Sequence, residues 1–388
     1  MKNRMAFIIF FSIVLLVHLS VNYYLFRHTR PLFNFEGWLG IGFKVVFILL
    51  VLSYPIGRTL ERLLPSVTSE FIAKVGAFWL GAMLYLTLFF LLFDLAKLLF
   101  HLTGFPSFLS PSNGVVYFRK LVIGIYSIVA LILFAGYINA LYPRVNKLEI
   151  KTEKGINGFE KLRIGMASDI HLGSIISNGR LDRFVRMMNE QKPDIILLAG
   201  DIFDEDLGPV IKNDMGKLLS QLKAPLGVYA VTGNHEYIGG VVPAVNYLET
   251  HNIRVVRDTA ILVDGFLNVV GREDKQANVM GGITRKALRQ IVSGIDISLF
   301  TILLDHQPYN LNEAVENGID LQLSGHTHHG QMFPFNFITK AIFEVSRGLK
   351  KIGNTHVYVS TGFGTWGPPV RIGNRPEIAV IEVTSKTD

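Results

Sequence analysis

The chain of 388 residues contains no cysteine. Disulfides, iron–sulfur clusters and thiolate zinc sites are thereby excluded, and the absence says nothing of the compartment. Acidic residues are scarce at one end only. Residues 1–143 hold 4 Asp and Glu against 11 Lys and Arg, whereas the remainder carries 27 of each. The sequence pI of 9.4 is therefore a property of the first third, where basic flanks of apolar runs meet anionic headgroups. It does not point to nucleic acid, which needs a basic face on the working domain. Internal repeats and low-complexity segments are also missing. What is plentiful is apolar content: 49% hydrophobic residues and a mean hydropathy of +0.36. Both are high for a soluble protein and expected of a chain with membrane segments.

Four apolar runs account for that excess. Met5–Phe26 is 22 residues without a formal charge, and it lacks the short core and small-residue cleavage site of a secretory signal, so it reads as a retained anchor. Trp38–Ile56 is interrupted by Lys44. Val75–Phe93 continues as an apolar helix through Asp94, Lys97 and His101, and Leu121–Pro143 completes the set. The expectation is an N-terminal α-helical bundle of about four spans over residues 1–143, in contact with membrane lipids. Lys44 and Lys97 are expected to snorkel, with Asp94 paired to Lys97 three residues on. The alternative reading of these groups is a polar path or headgroup site. An even span count puts the N-terminus and the second half on one side, and the Lys and Arg flanks favour the cytoplasm.

From residue 144 to 388 the pattern changes to short apolar strands alternating with amphipathic helices. Leu162–Ala167, Ile195–Ala199, Val228–Thr232, Leu267–Val270, Leu299–Leu304, Leu321–Ser324, Val357–Ser360 and Ile378–Val383 read as strands. Arg180–Glu190 carries apolar residues at helical spacing between the first two. The repeat of strand, helix and strand predicts a largely parallel α/β sheet. Pro143–Lys154 reads as a short basic connector, with a complete domain beginning near Lys147.

Five polar clusters mark this half: Asp169-Ile170-His171, Gly200-Asp201-Ile202-Phe203-Asp204, Gly233-Asn234-His235-Glu236, Asp305-His306 and Gly325-His326-Thr327-His328. Asp169, Asp201 and Asn234 come just after predicted strands, where α/β sheets collect ligands at the carboxyl ends. A lone Asp there is usually a cap or turn former, and a lone His a core or surface residue. Five clusters offering only oxygen and imidazole donors suit hard or borderline divalent ions instead: Mn, Fe, Zn or Mg, with Mn favoured.

The order Asp-x-His, Gly-Asp-x-x-Asp, Gly-Asn-His-Glu, His, Gly-His-x-His resembles the calcineurin-like metallophosphoesterases across roughly Lys161 to Val383. Gly325–Gln331 and the later Pro368-Pro369-Val370-Arg371 resemble the bacterial membrane-anchored branch and transmembrane proteins with a metallophosphoesterase domain. The resemblance implies a four-layer αββα sandwich and two divalent metal ions. One would be held by Asp169, His171, Asp201 and His328. The other would take Asp201, Asn234, His306 and His326, with Asp201 as the bridge. Such a pair clamps attacking and leaving oxygens and activates water. In the same pattern His235 is not a metal residue but stabilises and protonates the leaving oxygen, with Asp204 orienting it. Glu236 would brace its loop, and His329 is expected to be a solvated loop residue. Glu205-Asp206 replace the Arg-Gly of the protein serine/threonine phosphatases and argue against that branch. Arg371 and Trp366 are candidate substrate contacts, since Arg is a bidentate partner for phosphate.

The function implied is hydrolysis of a phosphate ester or pyrophosphate. A lipid-linked substrate, such as a UDP-diacylglucosamine-type lipid A precursor, would explain an active site tethered to the bilayer. Two other readings are an anchored phosphodiesterase for soluble nucleotides and a sensor or transporter whose metal domain regulates the spans. The electroneutral second half disfavours a nuclease.

Overall fold

The computed structural model describes residues 2–33, 37–103, 114–156 and 159–385. The chain divides into two compact units: Met1–Gly136 with Gly367–Pro369, and Tyr137–Trp366 with Val370–Asp388.

The first unit is built from four helices: α1 Lys2–Thr29, α2 Trp38–Leu63, α3 Val67–Thr103 and α4 Gly114–Leu141. Among the described residues, three stretches are long and apolar enough to cross a membrane: Trp38–Leu63, Val67–Thr103 and Val116–Leu141. That is one fewer than the expected four. The remaining expected span coincides with α1, where the side chains of residues 1–8, 10 and 11 lie outside the described set. Several polar groups inside this unit find partners within it. Trp79 Nε1 donates to Asn22 Oδ1 at 3.0 Å, and the Thr29 and Tyr126 hydroxyls are 2.7 Å apart. Asp94 does not follow the expected pairing with Lys97. Its carboxylate accepts from Tyr24 Oη at 2.6 Å and lies 3.1 Å from His28 Nε2, both on α1. A contact between helices therefore replaces the local i,i+3 pair. Lys44 lines a groove with Leu19, Asn22, Phe47 and Val51.

In the second unit, two six-stranded sheets stack face to face. The first runs β1 (Arg144–Thr152), β12 (Glu377–Ser385), β2 (Leu162–Ala167), β3 (Ile195–Ala199), β4 (Val228–Val231) and β5 (Arg254–Val255). The second runs β10 (Gly348–Ile352), β11 (Thr355–Val359), β9 (Leu321–Ser324), β8 (Phe300–Leu304), β7 (Leu267–Gly271) and β6 (Thr259–Val263). Neighbours β2, β3, β4 and β5 are parallel, as are β7, β8, β9 and β11. The central strands read as unbroken apolar runs because both of their faces are covered. Ile164, Leu197 and Val231 meet Val269, Ile302 and Leu323 between the sheets. On the outer face of the first sheet, Ile196, Leu198 and Ala230 pack against Leu181, Phe184 and Met188 of the helix α5 (Asn178–Glu190). Leu288 and Ile291 similarly cover Val270 and Leu303 of the second sheet. The result is the expected αββα order.

The stretch read as a connector is structured. Residues 144–152 pair in parallel with all nine residues of β12, so a domain starting at Lys147 would cut its own edge strand. The alternation of Leu148 and Ile150 with Lys147, Glu149 and Lys151 is that of a strand with one wet face. Its partner lies at the other end of the domain sequence.

Candidate metal centre

The strand ends aim the polar clusters at one place. Asp169 follows β2, Asp201 follows β3, Asn234 follows β4, His306 follows β8 and His326 follows β9. Asp169, His171, Asp201, His326 and His328 all adopt positive φ, between 45° and 67°. Left-handed backbone at non-glycine residues is costly and persists where surrounding structure enforces it. Glycines precede Asn234 and His326 for steric reasons. A Cβ on Gly233 would lie 2.1 Å from Asp201 Oδ1, and one on Gly325 would lie 2.2 Å from Asp169 Oδ2.

The side chains form three tight groups, buried except for the half-buried His326: Asp169, His171 and His328; His171, Asp204 and His235; and Asp201, His306 and His326. In the first, His171 Nε2 and His328 Nε2 face each other at 3.0 Å, and His328 Nε2 is 3.4 Å from Asp169 Oδ1. Two imidazole nitrogens so close need a proton or a cation between them. In the third, Asp201 Oδ2 lies 3.1 Å from His306 Nε2. The opposite ring nitrogen of His306 is committed to the Ala199 carbonyl at 2.7 Å, an arrangement that fixes the tautomer of metal-binding histidines. Asp201 Oδ1 accepts from the His235 backbone N–H at 2.8 Å.

A divalent ion fits this donor set. Among the described residues, His171 Nδ1 and Asn234 Oδ1 are buried without a hydrogen-bond partner, a condition that native structures avoid. Electrostatics agree. Burial pushes the Asp169 carboxyl up to about 6 and the His326 imidazole down to about 4. His171 and His328 are also driven down by burial, with His235 adding to the first and Arg371 to the second. Neutral imidazole is the metal-binding form. For Asp201, burial works upward, but His306 and His235 outweigh it and hold the carboxyl well below the usual range.

His235 sits apart from these pairs. Burial opposes its charge, yet the carboxylates of Asp201, Asp204 and Glu205 raise it above the ordinary imidazole value. Asp204 Oδ1 is 3.7 Å from His235 Nδ1 and 3.8 Å from His171 Nδ1, between the two rings. Trp366, half-exposed, lies edge-on to His235 with ring centroids 6.1 Å apart. Arg371, expected to meet a substrate phosphate, is wholly buried. It donates to the carbonyls of Thr361 and His328 at 2.7 and 3.2 Å, and its Nη2 is 3.0 Å from His328 Nδ1. It braces the His328 loop instead of facing the opening. His329 is not solvated either: its ring is buried, with Nδ1 3.0 Å from Ser346 Oγ. Glu236 does brace its loop, accepting from the N–H groups of Asp201, Ile202, Phe203 and Gly233. Asp305 turns away from the centre to pair with Arg272 and Arg285.

Sequence reasoning missed Lys275. Its Nζ stands 3.6 Å over the Tyr309 ring, which packs on Phe343 beside His326. The signal was available, because Lys275 follows β7 as the recognised clusters follow their own strands.

The profile of the calcineurin-like phosphoesterases matches residues 162–330. An uncharacterized metallophosphoesterase of Aquifex aeolicus is 33% identical, over 65% of this chain and 95% of its own length. The chain belongs to the calcineurin-like phosphoesterases. Its activity is therefore metal-dependent hydrolysis of phosphoesters. A metallophosphoesterase of Campylobacter jejuni, 29% identical, aligns over 98% of this chain and 100% of its own. A Bos taurus protein named as a transmembrane protein with metallophosphoesterase domain is 34% identical over 63% of this chain and 58% of its own. With three helices apolar enough to span, this phosphoesterase is a membrane protein.

Proposed function

We propose that the protein is a multi-pass, dinuclear phosphohydrolase that cleaves a phosphate ester or pyrophosphate on a lipid-linked substrate. The observation that supports the reading is the pair of donor groups, Asp169 with His171 and His328 and Asp201 with His306 and His326, beside a buried histidine, His235, that belongs to neither. Asp169, His171 and His328 would hold one divalent ion, and Asn234, His306 and His326 the other, with Asp201 shared. When bound, the two ions supply an activated water and neutralise charge on the phosphoryl oxygens. The remaining roles fall to the chain itself. His235, whose basicity the neighbouring carboxylates raise, would give its proton to the leaving oxygen. Asp204 would keep that ring in place, and Trp366 would contact the group beyond the phosphate. Manganese is the favoured metal, and the cytoplasm the favoured side for the catalytic unit.

The lipid-linked part rests on tethering. Only Tyr142 and Pro143 separate the end of α4 from the start of β1, a connector of about 10 Å at most. The test uses the full chain with Mn in mixed micelles. Turnover of an acylated phosphoester should follow its mole fraction in the micelle, not its bulk concentration. Equal kcat/KM for acylated and soluble esters, independent of micelle composition, would overturn the lipid reading and favour an anchored enzyme for soluble nucleotides.

A further inference from the structure

One helix of the α/β unit is built the wrong way out for water. Phe335–Ile342 is a two-turn amphipathic helix with none of its residues buried. Phe335, Phe337, Ile338 and Ile342 are 40%, 60%, 54% and 57% exposed. They share one side of the helix at the spacing that normally marks a core-facing stripe. The polar residues on the other side, Asn336 and Thr339, are the half-buried ones. The start of the helix presses on Gly330, where a Cβ would lie 2.4 Å from Asn336 N, so the polar side is turned to the domain. α5 shows the opposite arrangement, with Leu181, Phe184, Val185 and Met188 all buried. The exposed apolar surface continues through Phe333 to Trp366, 49% and 53% exposed. Gln331, two residues before Phe333, is tied to Trp366 by bonds of 2.8 and 2.9 Å. Trp366 in turn lies against His235. The patch thus runs from the helix to the edge of the metal centre.

Its surroundings name the occupant. Lys340, Arg347, Lys350 and Lys351 are exposed within residues 332–352, where Glu344 is the only acid. The rest of this unit is close to electroneutral. An apolar helix face bordered by cations is the pattern of a helix lying in a membrane interface. The connector of two residues after α4 also keeps the unit beside the bilayer. We propose that Phe335–Ile342 is an interfacial helix whose apolar face sinks into the headgroup layer of an anionic bilayer and holds the rim of the metal centre there. The inference does not depend on which phosphoester is hydrolysed.

The absence of cysteine makes the test clean. Phe337→Cys, labelled with an environment-sensitive fluorophore, is placed in the full chain in nanodiscs containing anionic lipid. Glu316→Cys, exposed on a different helix, is the control. The 337 label should shift to the blue and be quenched severalfold by lipids brominated high in the acyl chain, with the 316 label unaffected. Equal behaviour of the two labels would overturn the proposal. So would shielding at 337 that brominated lipid does not quench and that fades as the chain is diluted, since a second copy would then be the occupant. A second variant, Ile338→Asp, changes an exposed side chain and should retain its metals. It should reduce the lipid quenching at 337 while leaving kcat on a small soluble phosphoester unchanged. Undiminished quenching in that variant would also count against insertion of this face.

Discussion

In the helical unit Leu16, Leu49, Leu92 and Leu131 are 62% to 67% exposed, while in the α/β unit Leu181, Leu198, Leu267 and Leu323 are fully buried. Several ionisable groups of the α/β unit are buried as deeply as its leucines. Asp169, His171, Asp201, His306, Asp305 and Arg371 are all at or below 3% exposure in the α/β unit, whereas in the helical unit the Asp94 side chain is 41% exposed. The two units are thus folded against different solvents. Apolar surface costs nothing in hydrocarbon, so the spans keep it outside and join helices through a few polar contacts. In water the apolar residues drive burial, and the sheets they form can carry charge inward only where partners or cations compensate it. The α/β unit is therefore the part whose integrity is expected to depend on ions.

Removing those ions gives the widest separation between the units. Chelation should abolish turnover and lower the stability of the α/β unit by about 4 kcal/mol for each ion held at a thousandfold excess over Kd. The helical unit should melt as before. Calorimetry with near-UV circular dichroism checks both, and a uniform shift of the two transitions would erase the distinction. Next in size is Arg371→Met, which leaves the Thr361 and Gly364 carbonyls without their buried donor. A loss of about 3 kcal/mol or more is expected; an unchanged melting temperature would mean the loop is held by other contacts.

His235→Ala separates chemistry from assembly. Turnover should fall by about 10²-fold, the scale of a lost general acid, with metal content by elemental analysis near that of the unaltered protein. Loss of metal in this variant would place His235 among the ion-holding groups. In the helical unit, Asp94→Asn should cost only about 0.6 kcal/mol, the average for a hydrogen bond between spans, and leave kcat alone. A variant without turnover would tie the polar set of the spans to the reaction and break the contrast drawn above. The smallest effect concerns acid. Lys161 and Arg163 hold Glu382 below the ordinary glutamate value, so its contribution is complete above that value and lost as pH falls through the lower, folded one. Glu382→Gln should remove part of the acid sensitivity of the α/β transition; urea melts at pH 3 and pH 6 measure it. Identical pH dependence in the variant would assign the sensitivity elsewhere.

Much of this was legible along the chain because it is local. A strand buried on both faces must be apolar throughout, as Ile195–Ala199 and Phe300–Leu304 are, and the polar residues that end it must lie at the sheet's edge. Membrane helices announce themselves by length alone. The clusters could be assembled in order, and their donor chemistry excluded soft-metal and thiol sites. Those features follow from periodicity and composition, which neighbours within a few residues determine. Three others waited for the fold because they depend on partners far away in the chain. Arg144–Thr152 is a strand only because β12 lies beside it, more than 230 residues on. His329 is buried only because Ser346 closes over it. Arg371 carries a charge that sequence reading directs toward substrate, yet the carbonyls of 361–364 and the ring of His328 enclose it first. The left-handed turns at Asp169, Asp201 and His328 belong with these. Asp and His tolerate that backbone better than most side chains, but local preference alone does not select it; the packing of two sheets makes it the conformation that brings their side chains together.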